Sequence, residues 1–323
     1  MERTTPALPV ELSIVIPIYN SASIFPELYA RLRSTLEKTV PSFEIITVLD
    51  GCRDASLAVI SGFAAHDPRL KVIELSRNFG HQAAVTAGLH HASGDLVAIL
   101  DDDLEDPPEV LPSFIEKIRE GFEVVYGIRK KRKRSLVIRL LYNSFYRLSG
   151  KLIDIPIPHD AGDFCAMTRQ VQQVLVSMPE NNRYLRGMRA WAGFKQTGIE
   201  YDRGERFAGS SGYTLRNYFT LAFNGIFSFS FRPLKYVTFA GIFIALLSFA
   251  YAAWIVFLKL SGHMPDVPGW TFLSVSVLFL SGIQLIAMGI IGEYIARIYD
   301  EVKHRPPYVI RTKIGFPEER AHG

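Results

Sequence analysis

Cysteine is scarce in this chain of 323 residues, in which Cys52 and Cys165 are the only two. They lie far apart, and neither belongs to a Cys-x-x-Cys pair or a Cys/His cluster, which argues against a disulfide framework and a structural zinc site. Residues 1–10 lack a long apolar run after a basic start, so we expect a disordered N-terminus there and no signal peptide. Both thiols are therefore expected to stay reduced in the cytosol.

Charged residues are also few, at 21% of the chain, whereas hydrophobic residues reach 48%. The mean hydropathy of +0.14 excludes an intrinsically disordered chain and is high for a purely soluble enzyme. The formal net charge of +4 is mild but unevenly distributed, because residues 129–134 form one unbroken basic run.

Short apolar runs alternate with helical stretches from residue 11 onward. Continuous apolar runs, typical of strands buried on both faces, occur at residues 12–18, 43–49, 70–75, 96–100 and 123–127. Helices are predicted between them at residues 24–36, 55–65, 81–91 and 108–120. This repetition predicts an α/β fold with a mostly parallel, Rossmann-like sheet, which we place at residues 11–212.

Two long apolar stretches follow, at residues 237–260 and 270–292, and each is long enough to cross a membrane as a helix. The short loop at residues 261–269 predicts a hairpin. Basic residues flank its outer ends, which predicts a periplasmic loop and a cytoplasmic tail at residues 293–323. Residues 213–236 are predicted to form an amphipathic juxtamembrane helix, with a simple linker as the alternative.

An acidic segment lies where ligands of open α/β sheets bind, beyond the carboxyl end of a strand. Asp101, Asp102 and Asp103 follow the strand at residues 96–100, and Glu105 lies two residues further on. In an extended segment Asp101 and Asp103 would point the same way and could converge on one cation. Oxygen ligands favour Mg²⁺ or Mn²⁺ bridging a diphosphate, and a solvated acidic turn is the alternative.

Asp50 and His81 are weaker candidates for ligand contact. Asp50 ends the second predicted strand, and its carboxylate could accept a hydrogen bond from a nucleobase or a ribose, with Gly51 allowing a close turn. A plain turn residue would explain Asp50 about as well. His81 opens a predicted helix and could touch a phosphate or a sugar, although a capping or packing role fits equally.

Five short motifs occur in order along the chain: Val15-Ile16-Pro17-Ile18-Tyr19-Asn20, Asp50-Gly51-Cys52, Ser76-Arg77-Asn78-Phe79-Gly80-His81, Asp101-Asp102-Asp103-Leu104-Glu105-Asp106-Pro107-Pro108-Glu109 and Gly162-Asp163-Phe164. As an ordered set they resemble the polyprenyl-phosphate glycosyltransferases of glycosyltransferase family 2, which include bactoprenol glucosyltransferases and dolichol-phosphate mannose synthases. The C-terminal apolar pair and the Arg305-Pro306-Pro307-Tyr308 segment resemble the bacterial members.

The resemblance implies a GT-A fold, a nucleotide-sugar donor, a divalent metal and inverting transfer to a polyprenyl phosphate. It implies a set of nucleotide-binding residues: Pro17, Tyr19, Asn20, Asp50, Asp101 and Asp102. It implies metal ligands at Asp101, Asp103 and Glu105. Bacterial members often have Gln at the position of Glu105. Asp163 is the implied acceptor-site carboxylate, and we predict that it is catalytic together with Asp103.

The role of Asp163 has open alternatives. A phosphate monoester titrates near about pH 6, so an acceptor phosphate has little need of a general base at neutral pH. Asp163 could instead orient the acceptor or stabilise charge at the anomeric carbon of the sugar. A purely structural hydrogen bond to neighbouring backbone is the remaining alternative.

Two positions depart from the family pattern. Cys165 stands where the family commonly has Arg after Gly-Asp-Phe, and Gly212 stands where it has a basic residue in a Ser-Lys-Tyr or Ser-Arg-Tyr triplet. Each change removes a cation from a region expected to handle phosphate. Arg203 and Arg206 are the nearest candidate substitutes and are predicted to bind the acceptor phosphate.

The basic run at residues 129–134 follows the last predicted strand, where a loop could close over the donor. Arg129 and Lys131 are predicted to help bind the acceptor phosphate, and a solvated loop is the alternative. Nucleic-acid binding is not expected, because no aromatic reading surface or helix-turn-helix pattern accompanies the run. Residues 136–148 are predicted to lie as a helix against the membrane or against the core.

These features predict a multi-pass glycosyltransferase of the bacterial inner membrane with a cytoplasmic catalytic domain. We expect a UDP-sugar such as UDP-glucose as donor, undecaprenyl phosphate as acceptor and Mg²⁺ or Mn²⁺ as cofactor, with a homo-oligomer and a separate flippase as further partners. A catalytically inactive membrane scaffold is the main alternative. A processive polysaccharide synthase would need a Gln-x-x-Arg-Trp signature and more spans, which this sequence lacks.

Overall fold

A computed structural model describes residues 10–129, 161–181, 183–202, 232–261 and 269–317. The chain divides into two compact units. The first comprises Met1–Asn143, Ile155–Thr214 and Arg305–Gly323, and the second comprises Ser144–Asp154 and Leu215–His304. The C-terminal segment therefore belongs to the same unit as the N-terminal half of the chain.

The first unit is built on an eight-stranded sheet with the strand order β7-β5-β6-β4-β1-β2-β3-β8. Its strands are β1 Leu12–Ile18, β2 Phe43–Leu49, β3 Leu70–Leu75, β4 Leu96–Ile99, β5 Val124–Arg129, β6 Ala161–Thr168, β7 Gln196–Tyr201 and β8 Ile310–Ile314. Neighbours among β1 to β4 pair in parallel, whereas β6 and β8 run antiparallel to the strands beside them. The prediction of a mostly parallel α/β sheet is confirmed.

Six helices and one 3-10 turn connect these strands within the described residues of the first unit. They are α1 Phe25–Leu36, α2 Ser56–Ala64, α3 His81–His91, the 3-10 turn Pro108–Val110, α4 Leu111–Arg119, α5 Arg169–Ser177 and α6 Leu185–Ala192. The predicted helix at residues 108–120 begins as a 3-10 turn, because Pro112 has no N–H to donate to the carbonyl of Pro108 as an α-helix starting there would require.

The core lies on both faces of the central strands. Every residue of β1 and β2 is buried, as the continuous apolar runs predict. Helix α3 packs very closely on the sheet, since a Cβ added at Gly88 would lie 2.2 Å from Cγ1 of Val15. On the other face α1 inserts Phe25, Leu28 and Leu32, each worth about 1.5–3 kcal/mol of burial energy.

The second unit contains two long helices, α7 Arg232–Leu260 and α8 Gly269–Val302. Both are long and apolar enough to cross a membrane, and the spans that meet this test are Leu234–Tyr251 and Val275–Val302. The rings of Tyr251 and Phe272 lie 5.8 Å apart, so the helices contact each other as a hairpin does. Helix α8 continues beyond the predicted end at residue 292. Large side chains such as Phe249 stay exposed along both, which is typical of surfaces that lipid or protein covers.

Several predicted segments lie outside the described residues. They include the helix at residues 136–148, residues 213–231 of the juxtamembrane helix and the basic run beyond Arg129. The tail at residues 293–323 was predicted only as cytoplasmic, yet it supplies β8, which pairs with β3 from Val72 to Leu75.

Candidate active site

The acidic segment after β4 forms a turn that is fixed to the end of β1. Leu104 takes a left-handed backbone conformation with φ 59° and buries its side chain, which reverses the chain within the segment. Asp102 accepts hydrogen bonds from the backbone N–H of Tyr19 and the hydroxyl of Ser21. Because the segment forms a turn, alternation along an extended strand does not align Asp101 with Asp103, and their binding of one cation stays a prediction.

Asp101 and Asp163 both lie close to one side chain of α3. β4 ends at Ile99, which pairs with Cys165 of the antiparallel strand β6, so Asp101 comes two residues after Ile99 and Asp163 two residues before Cys165. Nε2 of His81, at the start of α3, lies 3.7 Å from Oδ1 of Asp101 and 3.7 Å from Oδ2 of Asp163. The sequence did not decide between a ligand contact and a packing role for His81. In the structure its side chain lies close to both carboxylates.

Asp101 carries a buried oxygen without a hydrogen-bond partner among the described residues. This oxygen is Oδ1, whereas the side chain as a whole is 27% exposed. Burial raises the pKa of Asp101 well above its usual range, His81 opposes the rise, and the neighbouring Asp163 adds to it. A buried oxygen in an acidic surrounding fits a bound cation.

Arg186 of α6 forms an ion pair with the other carboxylate and keeps it ionised. Its Nε donates to Oδ1 of Asp163 at 2.8 Å, and its Nη2 donates to Oδ2 at 2.9 Å. Burial alone would raise the pKa of Asp163, but the charge and hydrogen bonds of Arg186 outweigh it and hold that pKa well below its usual range. Arg186 is not among the residues predicted from the sequence, although an arginine between the apolar residues Leu185 and Met188 is a signal for a charged group held at a buried site.

A metal site is only partly assembled. Oδ1 of Asp103 accepts the backbone N–H of Glu105, and Glu105 is buried. Across the described residues no three His, Cys, Asp or Glu side chains come together as a ready-made metal site, so the predicted set of Asp101, Asp103 and Glu105 is not preformed. Mg²⁺ is commonly held by one or two carboxylates with substrate phosphates and water. The oxygen donors and the unpartnered Oδ1 of Asp101 fit that arrangement.

Asp50 links two of the motifs. Its buried carboxylate accepts the backbone N–H of Phe79 at 2.6 Å and of Gly80 at 2.9 Å, just before α3. Gly51 has φ 65°, and a Cβ there would lie 2.3 Å from the backbone N of Asn78. Both oxygens of Asp50 therefore bond to backbone, and a contact with a nucleobase would use their remaining acceptor capacity.

The loop after β1 presents the other predicted nucleotide contacts. Asn20 has φ 56°, and its side-chain oxygen accepts the backbone N–H of Arg53 at 2.8 Å, which ties the loops after β1 and β2 together. Tyr19 is 50% exposed, so its ring is free to stack on a planar group. Pro17 is buried within β1, two residues before Tyr19.

Arg129 belongs to the sheet, which corrects its placement in a loop. It ends β5, and its guanidinium bonds to the fully buried Asp106 at 3.0 Å and to the hydroxyl of Tyr201 at 3.2 Å. Asp106 and Tyr201 also share a short hydrogen bond. Arg129 therefore anchors the acidic turn, and its predicted contact with an acceptor phosphate stays a prediction. Lys131, Arg203 and Arg206 lie outside the described residues.

Comparisons with known proteins agree along the length of the chain. Residues 13–175 match the family described as "Glycosyl transferase family 2", and residues 232–298 match the one described as "GtrB C-terminal hairpin". The chain is 42% identical over 314 residues to the uncharacterized glycosyltransferase YkcC of Bacillus subtilis, covering 97% of each chain. It is 40% identical over 307 residues to the bactoprenol glucosyl transferase of Shigella phage SfV, covering 94% of this chain and 99% of that one. A solved structure of the mannosyltransferase PcManGT from Pyrobaculum calidifontis is similar over 92% of this chain and 88% of that one, at 17% identity and a TM-score of 0.48.

Proposed function

The chain belongs to glycosyl transferase family 2 and is a glycosyltransferase with the GT-A fold, and from this we propose that it transfers a sugar from a nucleotide donor to a polyprenyl phosphate. The observation that carries the proposal is the placement of Asp163 beside Asp101, with His81 within 3.7 Å of both carboxylates. We assign Asp101 to the donor and Asp163 to the acceptor, on either side of one anomeric carbon.

In the proposed step, a phosphate oxygen of the acceptor attacks the anomeric carbon from the face opposite the nucleotide. A new carbon–oxygen bond forms, the bond to the nucleoside diphosphate breaks, and its electron pair leaves with the diphosphate, so the configuration inverts. A divalent cation bound by Asp101 and Asp103 would neutralise charge on the departing diphosphate. Asp101 and the turn around Leu104 position that end of the donor.

We assign Asp163 an electrostatic role. A carboxylate whose pKa is held low by Arg186 is a weak base, and the acceptor phosphate is already ionised at neutral pH. Negative charge next to the anomeric carbon would stabilise positive charge that develops there as the leaving group departs. Arg186 keeps Asp163 ionised and fixes the direction in which its oxygens point.

The apolar helices α7 and α8 suit a lipid acceptor. A lipid carries its phosphate at the membrane surface, and anchoring the enzyme there would replace a three-dimensional search for that phosphate. Arg232 and Lys235 in the first turn of α7 and basic residues after α8 favour cytoplasmic flanks, where nucleotide sugars occur. We propose UDP-glucose as the donor, undecaprenyl phosphate as the acceptor and Mg²⁺ or Mn²⁺ as the metal. The name of the phage SfV relative, a bactoprenol glucosyl transferase, supports a glucosyl group and a bactoprenol acceptor.

The test supplies the purified full-length chain with undecaprenyl phosphate, Mg²⁺ or Mn²⁺ and radiolabelled UDP-, GDP- or dTDP-sugars. Label from one donor is expected in the organic phase, lost in Asp103→Ala and kept in Glu116→Ala, which removes an exposed carboxylate from α4. Nucleotide binding without label from any donor would overturn the proposal and favour a nucleotide-binding scaffold.

A further inference from the structure

The segment of β6 around Asp163 lies against α6, and two arginines reach it from that helix. Arg186 and Arg189 are three residues apart, so they project from neighbouring positions on one helix face. Arg186 holds the carboxylate of Asp163, as described above. Arg189 binds the same strand at Gly162, one residue before Asp163.

Arg189 is almost completely buried, with 3% of its surface exposed. Its Nη2 donates to the backbone carbonyl of Gly162 at 2.9 Å. Its Nη1 is also buried and has no hydrogen-bond partner among the described residues. Burying a guanidinium is costly, so its presence with a donor unused requires a reason beyond packing.

Cys165 lies on the same strand as Gly162, three residues further along β6. Burial raises the pKa of the Cys165 thiol, and the positive charge of Arg189 opposes that rise. Cys165 is fully buried in β6 and has a short, uncharged side chain. The family pattern commonly has an arginine at this position of β6.

We propose that Arg189 is a positioning residue for Asp163, and that it supplies from α6 the buried positive charge that an arginine at position 165 would supply from β6. Arg186 fixes the side chain of Asp163, and Arg189 fixes the backbone carbonyl of Gly162 just before it. Helix α6 therefore holds both the side chain and the backbone of this segment in place. This inference rests on the proposed function in one respect, namely that Asp163 takes part in transfer.

A double-mutant cycle tests the inference with Arg189→Met, Cys165→Arg and the two combined. Arg189→Met is expected to lower kcat by about 10²-fold through misplacement of Asp163, with little change in KM for the nucleotide sugar. Cys165→Arg alone is expected to lower kcat too, because it puts two guanidiniums into one buried space. The double variant should recover by about tenfold over each single variant, since one charge then occupies the site.

Thermal unfolding of the same variants tests the role of Arg189 independently of the proposed sugar transfer. Each single variant is expected to unfold at a lower temperature and the double variant to regain part of the loss, whether or not a sugar is transferred. Arg189→Lys, which keeps the charge, should retain more activity than Arg189→Met, and Arg33→Met on the exposed face of α1 should match the wild type. Additive losses in both rate and unfolding temperature, or full activity in Arg189→Met, would overturn the inference. A wild type that transfers no sugar would count against the proposed function alone.

Discussion

The guanidinium of Arg186 faces the carboxylate of Asp163 in a two-point ion pair, with Nε bonded to Oδ1 and Nη2 bonded to Oδ2. This geometry joins α6 to β6 at the residue that we place next to the anomeric carbon. Such a pair fixes direction as well as charge, because both oxygens are held in the plane of the guanidinium.

Replacing Arg186 is expected to change the pH dependence of transfer. Without the guanidinium, burial dominates and the pKa of Asp163 rises, so the carboxylate becomes protonated and inactive as the pH falls through that raised value. In Arg186→Gln the acid limb of kcat should therefore move to higher pH, and kcat at neutral pH should fall by about 10²-fold. Arg186→Lys, which keeps the charge, should shift the limb less. Coincident pH profiles of kcat for the three proteins would contradict the assignment.

Removal of divalent metal is expected to stop transfer, and added Mg²⁺ or Mn²⁺ should restore it. A readout independent of activity is thermal unfolding with Mn²⁺ and UDP, since ligand at 100 times its Kd stabilises a folded protein by about 2.7 kcal/mol. Asp101→Asn should lose this stabilisation, because the buried Oδ1 of Asp101 is the oxygen left without a partner. Glu116→Gln should keep it. Equal stabilisation of both variants would show that the ligands bind elsewhere.

Gly51→Ala is expected to lower both the stability of the catalytic unit and its affinity for UDP-sugars. The new Cβ would lie 2.3 Å from the backbone N of Asn78 and would push the segment bonded to Asp50 out of place. Positive φ alone costs about 1–3 kcal/mol for a residue other than glycine. Gly121→Ala is the matched control, because Gly121 has φ 97° and nothing within 4 Å of an added Cβ. Nucleotide titrations should separate the two variants, and equal affinity in both would contradict a role for this segment in the nucleotide site.

Acid is expected to weaken the fold at Asp67. Burial alone would raise the pKa of Asp67, but hydrogen bonds from Arg69 and Tyr29 outweigh it and lower that pKa to about 2. Because the folded pKa lies below the unfolded value of about 3.9, this stabilisation is present above pH 4 and is lost as the pH falls towards 2. Asp67→Asn should lower stability at pH 7 by about 1–3 kcal/mol and should lose less between pH 5 and pH 2 than the wild type does. Denaturant unfolding at several pH values checks this, and parallel losses in both proteins would contradict it.

The central strands could be predicted from the sequence because their signal is local. β1, β2 and β3 begin and end where the apolar runs do, since each run is bounded by turn residues and is buried in full in β1 and β2 and for the most part in β3. β8 gives no such signal. Three of its five residues are exposed, so its strand conformation depends on its pairing with β3, far away in the sequence.

The active site, like the sheet, could be predicted from the sequence only in part. The acidic segment was predicted because its carboxylates are contiguous, but its turn depends on the left-handed backbone of Leu104, a residue type that rarely adopts it. The meeting of Asp101, His81 and Asp163 depends on the order of strands in the sheet and on the register between β4 and β6. Such relations are set by packing across the whole unit, and no short segment encodes them.

The position of β8 bears on how the protein is assembled. Its strand covers the outer edge of β3, whose N–H and C=O groups would otherwise be open to pairing with another chain. Since β8 follows both apolar helices in the sequence, a ribosome has made the entire hairpin before this edge can be closed. The catalytic sheet is therefore the first part of the enzyme to be synthesised and the last to be completed, and until then its edge is a place where nascent chains can associate.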